Sequence, residues 1–223
     1  MLIRERNRAE QRERILAAAF GLFSQRGFDE VRMADVADAA GVSRATVFNH
    51  FGSKQGLVDG ITEQVLLYYQ GMLDAALTDT RSPTPALLRA LGDHMASGIE
   101  STRRVQRGIF REIARLQLGF DEGGLTQRTN QENHARLAEL LARGQKRGEL
   151  SPAHDVTALA AAFEVLVNGT ITQWLFEDTA EPLSDRMRAG LEIFLAGAAT
   201  DAAKSRRHPL PDLTPARPWS FEP

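Results

Sequence analysis

Ala34-Asp-Val-Ala-Asp-Ala-Ala-Gly-Val-Ser-Arg-Ala-Thr-Val-Phe-Asn-His-Phe51 reads as two short helices joined by a tight turn. Met33, Val36, Ala37 and Ala40 recur at helical spacing and give the first helix one apolar face. Gly41 follows the last of them, where helices commonly end in a left-handed residue that glycine adopts at low cost. Ser43 then suits an N-cap, its hydroxyl placed to accept a free backbone N–H of the next helix. That helix, Arg44 to His50, is expected to bury Val47 and Phe51. Arg44, Thr46, Asn49 and His50 are then left outward, and Ala45 is small where two steeply crossing helices approach. A short second helix with a polar, basic outer face is the helix-turn-helix arrangement, which sends that helix into the DNA major groove.

Working outward, a preceding helix is expected from about Arg8 to Gln25, with Ile15, Ala19, Leu22 and Phe23 inward and Gly27 ending it. Met1 to Arg8, with Arg4, Arg6 and Arg8, reads as a mobile arm. After the pair, a long helix runs from Ser53 through Leu57, Ile61, Val65, Tyr68 and Met72 to about Leu77. Residues 78–85 form a loop by composition. Three further helices follow: Pro85 to Ile99, 102–118, and one that ends at Gly148. Two more, about 156–176 and 183–203, carry many small residues, among them Ala158, Ala160, Ala161, Ala162, Gly169, Gly190, Ala196, Gly197 and Ala198. Such small-sided apolar helices suggest packing against an identical pair in a four-helix dimer interface. Residues 204–223 hold five prolines and three arginines without periodicity and read as a disordered tail.

The residues Ala37-x-x-Ala40-Gly41-Val42-Ser43-x-Ala45-Thr46-Val47-Phe48-x-His50-Phe51-Gly52-Ser53-Lys54-x-x-Leu57 resemble the N-terminal domain of TetR-family transcriptional regulators over roughly Arg8 to Val65. The resemblance implies an all-α fold of nine helices. Residues 1–53 would hold the arm and the DNA-binding domain, 54–203 a ligand-binding and dimerisation domain, and 204–223 the tail. It implies a homodimer on a palindromic double-stranded operator, most simply a cytoplasmic repressor released by a small-molecule effector of unknown identity. Arg44, Thr46 and Asn49 would lie nearest base edges, with Ala45 beside them. Ser43, His50, Lys54 and Arg32 would meet the backbone. Two positions depart from the family. Arg32 replaces the usual threonine and has no acceptor with which to cap a helix. Phe48 replaces a tyrosine whose hydroxyl reaches a phosphate.

Composition narrows the alternatives. The 223 residues are 43% hydrophobic and 25% charged, enough to bury a core. The net charge of −2 divides unevenly: residues 1–56 hold nine Arg/Lys against seven Asp/Glu, and the rest hold 18 against 22. The sign suits phosphate at the N-terminal end. There is no cysteine, which removes thiolate ligands and thiol nucleophiles. The five histidines lack metal-ligand spacing, no nucleotide or nucleophile-elbow motif occurs, and no membrane span is read. Neither a metal, a cofactor nor an enzyme is therefore expected. In the large domain His94, Phe110, Arg111, Gln117, Phe163 and Trp174 are candidate effector-pocket residues, with polar Asn168 and Gln173 nearby. Two rival readings remain: a helical ligand carrier or enzyme with a vestigial DNA-binding domain, and an effector-independent activator.

Overall fold

The computed structural model describes residues 2–100, 103, 125–200 and 210–215. These form eight helices: α1 (Leu2–Arg26), α2 (Met33–Ala40), α3 (Arg44–Phe51), α4 (Lys54–Thr78), α5 (Thr84–Glu100), α6 (Leu125–Lys146), α7 (Val156–Phe176) and α8 (Leu183–Ala198). The only strand-like pairing among the described residues is one antiparallel bridge between Leu150 and Ala199. The expected all-α class holds. The expected helix over 102–118 lies outside the described residues, and with it Phe110, Arg111 and Gln117.

Two compact units emerge, one of residues up to Val65 and one of 66–100, 127–200 and 210–215. The division falls inside α4 and not at residue 53. The reason is burial: Leu57, Val58 and Ile61, from the first half of α4, belong to the same core as Ile15, Leu16, Phe20 and Phe23 of α1 and Val36 and Val47 of α2 and α3. A second correction concerns the N-terminus. Residues 2–8 are helical and continuous with α1, and an Arg6–Glu10 pair at 3.5 Å follows the i,i+4 spacing. Nothing in Arg-Glu-Arg-Asn-Arg-Ala-Glu breaks a helix, so extension costs little.

In the second unit α5 packs against α8, and α8 against α7. Gly92 makes the first contact possible, because a Cβ there would collide with Leu191 Cδ1 and approach Met187 Cγ at 3.1 Å. The segment Gly144-Gln-Lys-Arg-Gly148 gathers three helix ends. Arg143 donates to the carbonyls of Ala76 and Leu77 at 2.9 and 2.8 Å, placing a cation on the last turn of α4, where the helix dipole favours it. Glu149 accepts the Thr84 N–H at 2.7 Å and so caps the start of α5. Ser151 N–H donates to Ala198 O at 2.8 Å, fixing the end of α8. That end comes at Ala198, five residues before the expected Ala203.

α7 is long and apolar enough by length and composition to cross a membrane, with a mean hydropathy of 1.2 over its best window. Leu159, Ala160, Phe163, Val167, Ile171, Trp174 and Leu175 are nonetheless buried in the bundle. The reading of 204–223 as a disordered tail fails for residues 210–215. Leu213 is 2% exposed, Pro215 is buried, and the Asp212 carboxylate accepts from the Thr214 N–H at 2.9 Å and hydroxyl at 2.6 Å.

Candidate nucleic-acid interface

The first unit builds its outer face from short-range chemistry. Gly41 closes α2 at φ 64°, ψ 39°, the left-handed region that side chains adopt at a cost. Val42 N–H then reaches back to Ala37 O at 3.0 Å. Two residues on, Ser43 Oγ accepts the Thr46 N–H at 3.1 Å and pairs with the Thr46 hydroxyl at 2.8 Å. α3 is therefore capped as its sequence proposes. Gly52, at φ 68°, ends it and sends its N–H to Phe48 O at 2.8 Å. Turn and caps fix α3 while Val47 alone on it is fully buried.

The exposed stripe of α3 is Arg44, Ala45, Phe48 and Asn49. These positions stand at i, i+1, i+4 and i+5, one face of a helix. Arg44 and Asn49 offer what reads base edges: a guanidinium fork for guanine and an amide for adenine. Ala45 faces outward too, which corrects its reading as the residue at the helix crossing. Thr46 is half-buried, its hydroxyl shared with Ser43 in the cap. Phe48 is 51% exposed and sits in the middle of the stripe. The sequence reading noted only the hydroxyl it lacks, yet its ring is the largest apolar surface on that face.

Two expected backbone-contacting residues are directed elsewhere. Lys54 Nζ donates to Phe28 O at 2.6 Å, Val31 O at 3.1 Å and Asp29 O at 3.3 Å, and lies 4.1 Å from the Phe28 ring centre. All three ammonium donors thus pin the loop between α1 and α2. His50 Nε2 bonds Gln11 Oε1 at 3.0 Å. Burial first, then the charges of Arg8 and Arg12, hold its imidazole below the usual 6.5, so it brings no positive charge near neutral pH. Arg12 itself pairs with Glu63 at 2.6 Å and stacks over Phe51 at 5.5 Å. Arg32 is exposed at the head of α2, where Asp35 accepts its backbone N–H at 2.9 Å. Among the described residues its guanidinium makes no hydrogen bond or ion pair.

In the second unit, three of the six candidate pocket residues are described, and each makes a contact within the fold. Phe163 is fully buried and meets Phe194 edge-on at 5.7 Å. Trp174 Nε1 donates to Glu181 O at 2.7 Å and ties the turn after α7. His94 bonds the Tyr68 hydroxyl at 2.6 Å, and Gln173 is exposed and donates to Glu177 at 2.7 Å. The buried polar groups are different ones. Asn133 is 1% exposed and donates to Leu66 O at 2.9 Å, while its Oδ1 has no partner among the described residues. Burial, reinforced by Glu164, pushes the Tyr69 phenol well above its usual range, and Glu164 also holds His134 Nδ1 at 2.9 Å. No apolar-face periodicity marks such residues, because each interrupts the pattern that sequence reading follows. Among the described residues no group of acidic, histidine or cysteine side chains is arranged to hold a metal.

Residues 15–61 match the family described as bacterial regulatory proteins, tetR family, and residues 121–200 match that described as BetI-type transcriptional repressor, C-terminal. The chain is 26% identical over 182 residues to a probable HTH-type transcriptional regulator, ArpR, of Pseudomonas putida, covering 79% of this chain and 86% of that one. SmeT, the repressor of the Stenotrophomonas maltophilia multidrug efflux pump SmeDEF, superposes with a TM-score of 0.67 at 24% identity, over 90% of this chain and 97% of SmeT. Thermus thermophilus FadR in complex with lauroyl-CoA superposes at 0.63 and 24% identity, over 90% and 99%.

Proposed function

The chain belongs to the TetR family of bacterial transcriptional regulators, and from that membership we propose that it is a homodimeric, sequence-specific repressor whose hold on a palindromic operator a small molecule releases. It is a ligand-responsive DNA-binding regulator. The observation that carries the reading is the stripe Arg44–Ala45–Phe48–Asn49, exposed on a short helix held rigid by its own caps. Arg44 and Asn49 would read base edges, and Ser43 and Arg32 would meet phosphates. Lys54 and His50 support the domain from within, so their part in DNA binding would be to hold α3 and the loop before α2 in place.

Dimerisation is supported by the outer faces of α7 and α8. Val165 is 72% and Ile193 76% exposed, with Ala158, Ala161, Ala162, Gly169, Ala196 and Gly197 also open. Small and apolar residues left uncovered on two adjacent helices are what a close-packed helical interface requires. Three residues grouped with them from sequence do not belong to this face: Ala160 and Ala198 are buried in the bundle, and a Cβ on Gly190 would lie 3.1 Å from the chain's own Leu166 Cδ1, so Gly190 is not a clean probe of the interface. Gly197 is, since a Cβ there meets nothing within 4 Å.

Effector response is supported by the unpartnered Asn133 acceptor in the second unit and by the lauroyl-CoA held by the related FadR. α4 contributes residues to both units, so a ligand that shifts its second half would alter the first. Coupling of this kind amounts to about 1–3 kcal/mol and acts reciprocally on ligand and DNA. A cytoplasmic location goes with this reading. The test is titration of operator-sized DNA by the full chain and by an Arg44→Ala/Asn49→Ala double variant with unchanged helical content. Loss of binding in the variant supports the reading; equal binding by both refutes it.

A further inference from the structure

Gly71 stands inside the second half of α4, where glycine weakens a helix relative to alanine. The notch it leaves is filled. A Cβ placed on Gly71 would lie 2.8 Å from Pro215 Cβ and 3.4 Å from Pro215 Cγ, so the proline ring rests directly on the α4 backbone. Two residues earlier Leu213 is buried to 2% exposure. Between them, the double acceptance of Thr214 by Asp212 locks the segment into a turn. The hydroxyl bond first, then the amide bond, holds the Asp212 carboxyl below the usual carboxylate range. At the segment's other end Leu210 lines a groove of about 230 Å³ with Arg89 and Asp93 of α5 and Ser184, Arg188, Leu191 and Glu192 of α8. One six-residue stretch therefore contacts α4 and lines a groove with α5 and α8. It also lies beyond residue 200, where the match to the repressor C-terminal family ends.

We infer that Leu210–Pro215 is an intramolecular strap that seats Pro215 in the Gly71 notch and braces the second half of α4 against α5 and α8. Gly71 is then retained for the strap and not for the helix. The sign of one substitution separates these roles. In a chain ending at residue 209, Gly71→Ala should raise the melting temperature by about 2–4 °C, the helix-propensity gain for a protein of this size. In the full chain, the same change should lower it or leave no gain, because the new methyl displaces Pro215. A gain of equal size in both backgrounds would overturn the inference.

Hydrogen exchange gives an independent reading. Amides of residues 66–78 should exchange at least about tenfold faster in the shortened chain, and likewise in full-length Leu213→Asp, which expels the buried leucine while keeping the chain length. A synthetic peptide spanning residues 208–217 should bind the shortened chain and slow that exchange. Unchanged exchange in both variants would overturn the inference. The regulatory meaning rests on the function proposed above, in which α4 links the two units. If α4 is that link, the shortened chain should hold its operator several-fold more weakly than the full chain. Faster exchange with unchanged operator affinity leaves the strap standing and refutes the α4 coupling alone.

Discussion

The two units finish their surfaces in opposite ways. In the first, α1 to α3 and the start of α4 close a full apolar core, and the outer face of α3 carries arginine, asparagine and one open phenylalanine. In the second, α7 and α8 bury one side and leave valine, isoleucine, alanine and glycine uncovered on the other. A core closed within one chain suits a domain whose partner is a polyanion, where affinity comes from charge and directed hydrogen bonds. An apolar face left open suits a partner of the same kind, since contiguous exposed apolar surface marks an interaction site. Under the proposed function each unit has a different partner, and substitutions in one should leave the other's property intact.

The largest effect is expected where the open face is spoiled. Ile193→Asp combined with Gly197→Glu should abolish dimers in sedimentation and weaken palindromic operator binding by about 10²–10⁴-fold, the range that bivalent engagement contributes. Binding of a single half-site should survive. A monomer with full operator affinity would break the comparison.

Next in size is Arg44→Ala, expected to cost about 1–3 kcal/mol on the cognate site and to relax preference at one base position. Lys54→Met provides the contrast. Its ammonium is spent on three carbonyls, so the slope of affinity against salt should not change, whereas loss of a phosphate contact would reduce it by about 0.9. What should fall is thermal stability, read by a melting curve. A smaller effect is expected from Ser43→Ala, about 1 kcal/mol of stability from the lost N-cap, with equal loss of affinity for cognate and unrelated DNA.

The smallest concerns pH. His50 is held below 6.5 in the fold, so the unfolded chain binds more protons as pH falls through that value. Stability should therefore rise with pH between the folded value and 6.5, and the His50 contribution should level off on either side of that interval. His50→Gln should flatten the trend between about pH 7.5 and pH 5.5 in denaturant titrations. An unchanged trend would mean that other groups carry it.

The first unit was legible because its determinants are local. Gly41, Ser43 and Gly52 act within four residues of themselves, and the periodicity of Val36, Ala37 and Val47 reports one core directly. What escaped was long-range. Lys54 meets carbonyls 23 to 26 residues away, and His50 meets Gln11 across 39. Neither leaves a trace near the residue itself, so both were read as surface groups. In the second unit the apolar pattern located the helices that the structure describes, but Asn133 is polar on a buried face and breaks the pattern it belongs to. The Pro-rich end misled for a related reason. Its lack of periodicity argued against a helix, and nothing local announced that Leu213 and Pro215 have a notch at Gly71 to fill.

The central claim is that two copies, joined through α7 and α8, present two α3 stripes to one face of a duplex. Selection of DNA from a random pool by the purified full chain tests it most directly. The account predicts enrichment of an inverted repeat whose half-site centres lie about 10–10.5 base pairs, or a multiple of this, apart, with the enrichment lost for the Arg44→Ala/Asn49→Ala variant. Enrichment of a single unrepeated site, or of no sequence at all, would contradict it.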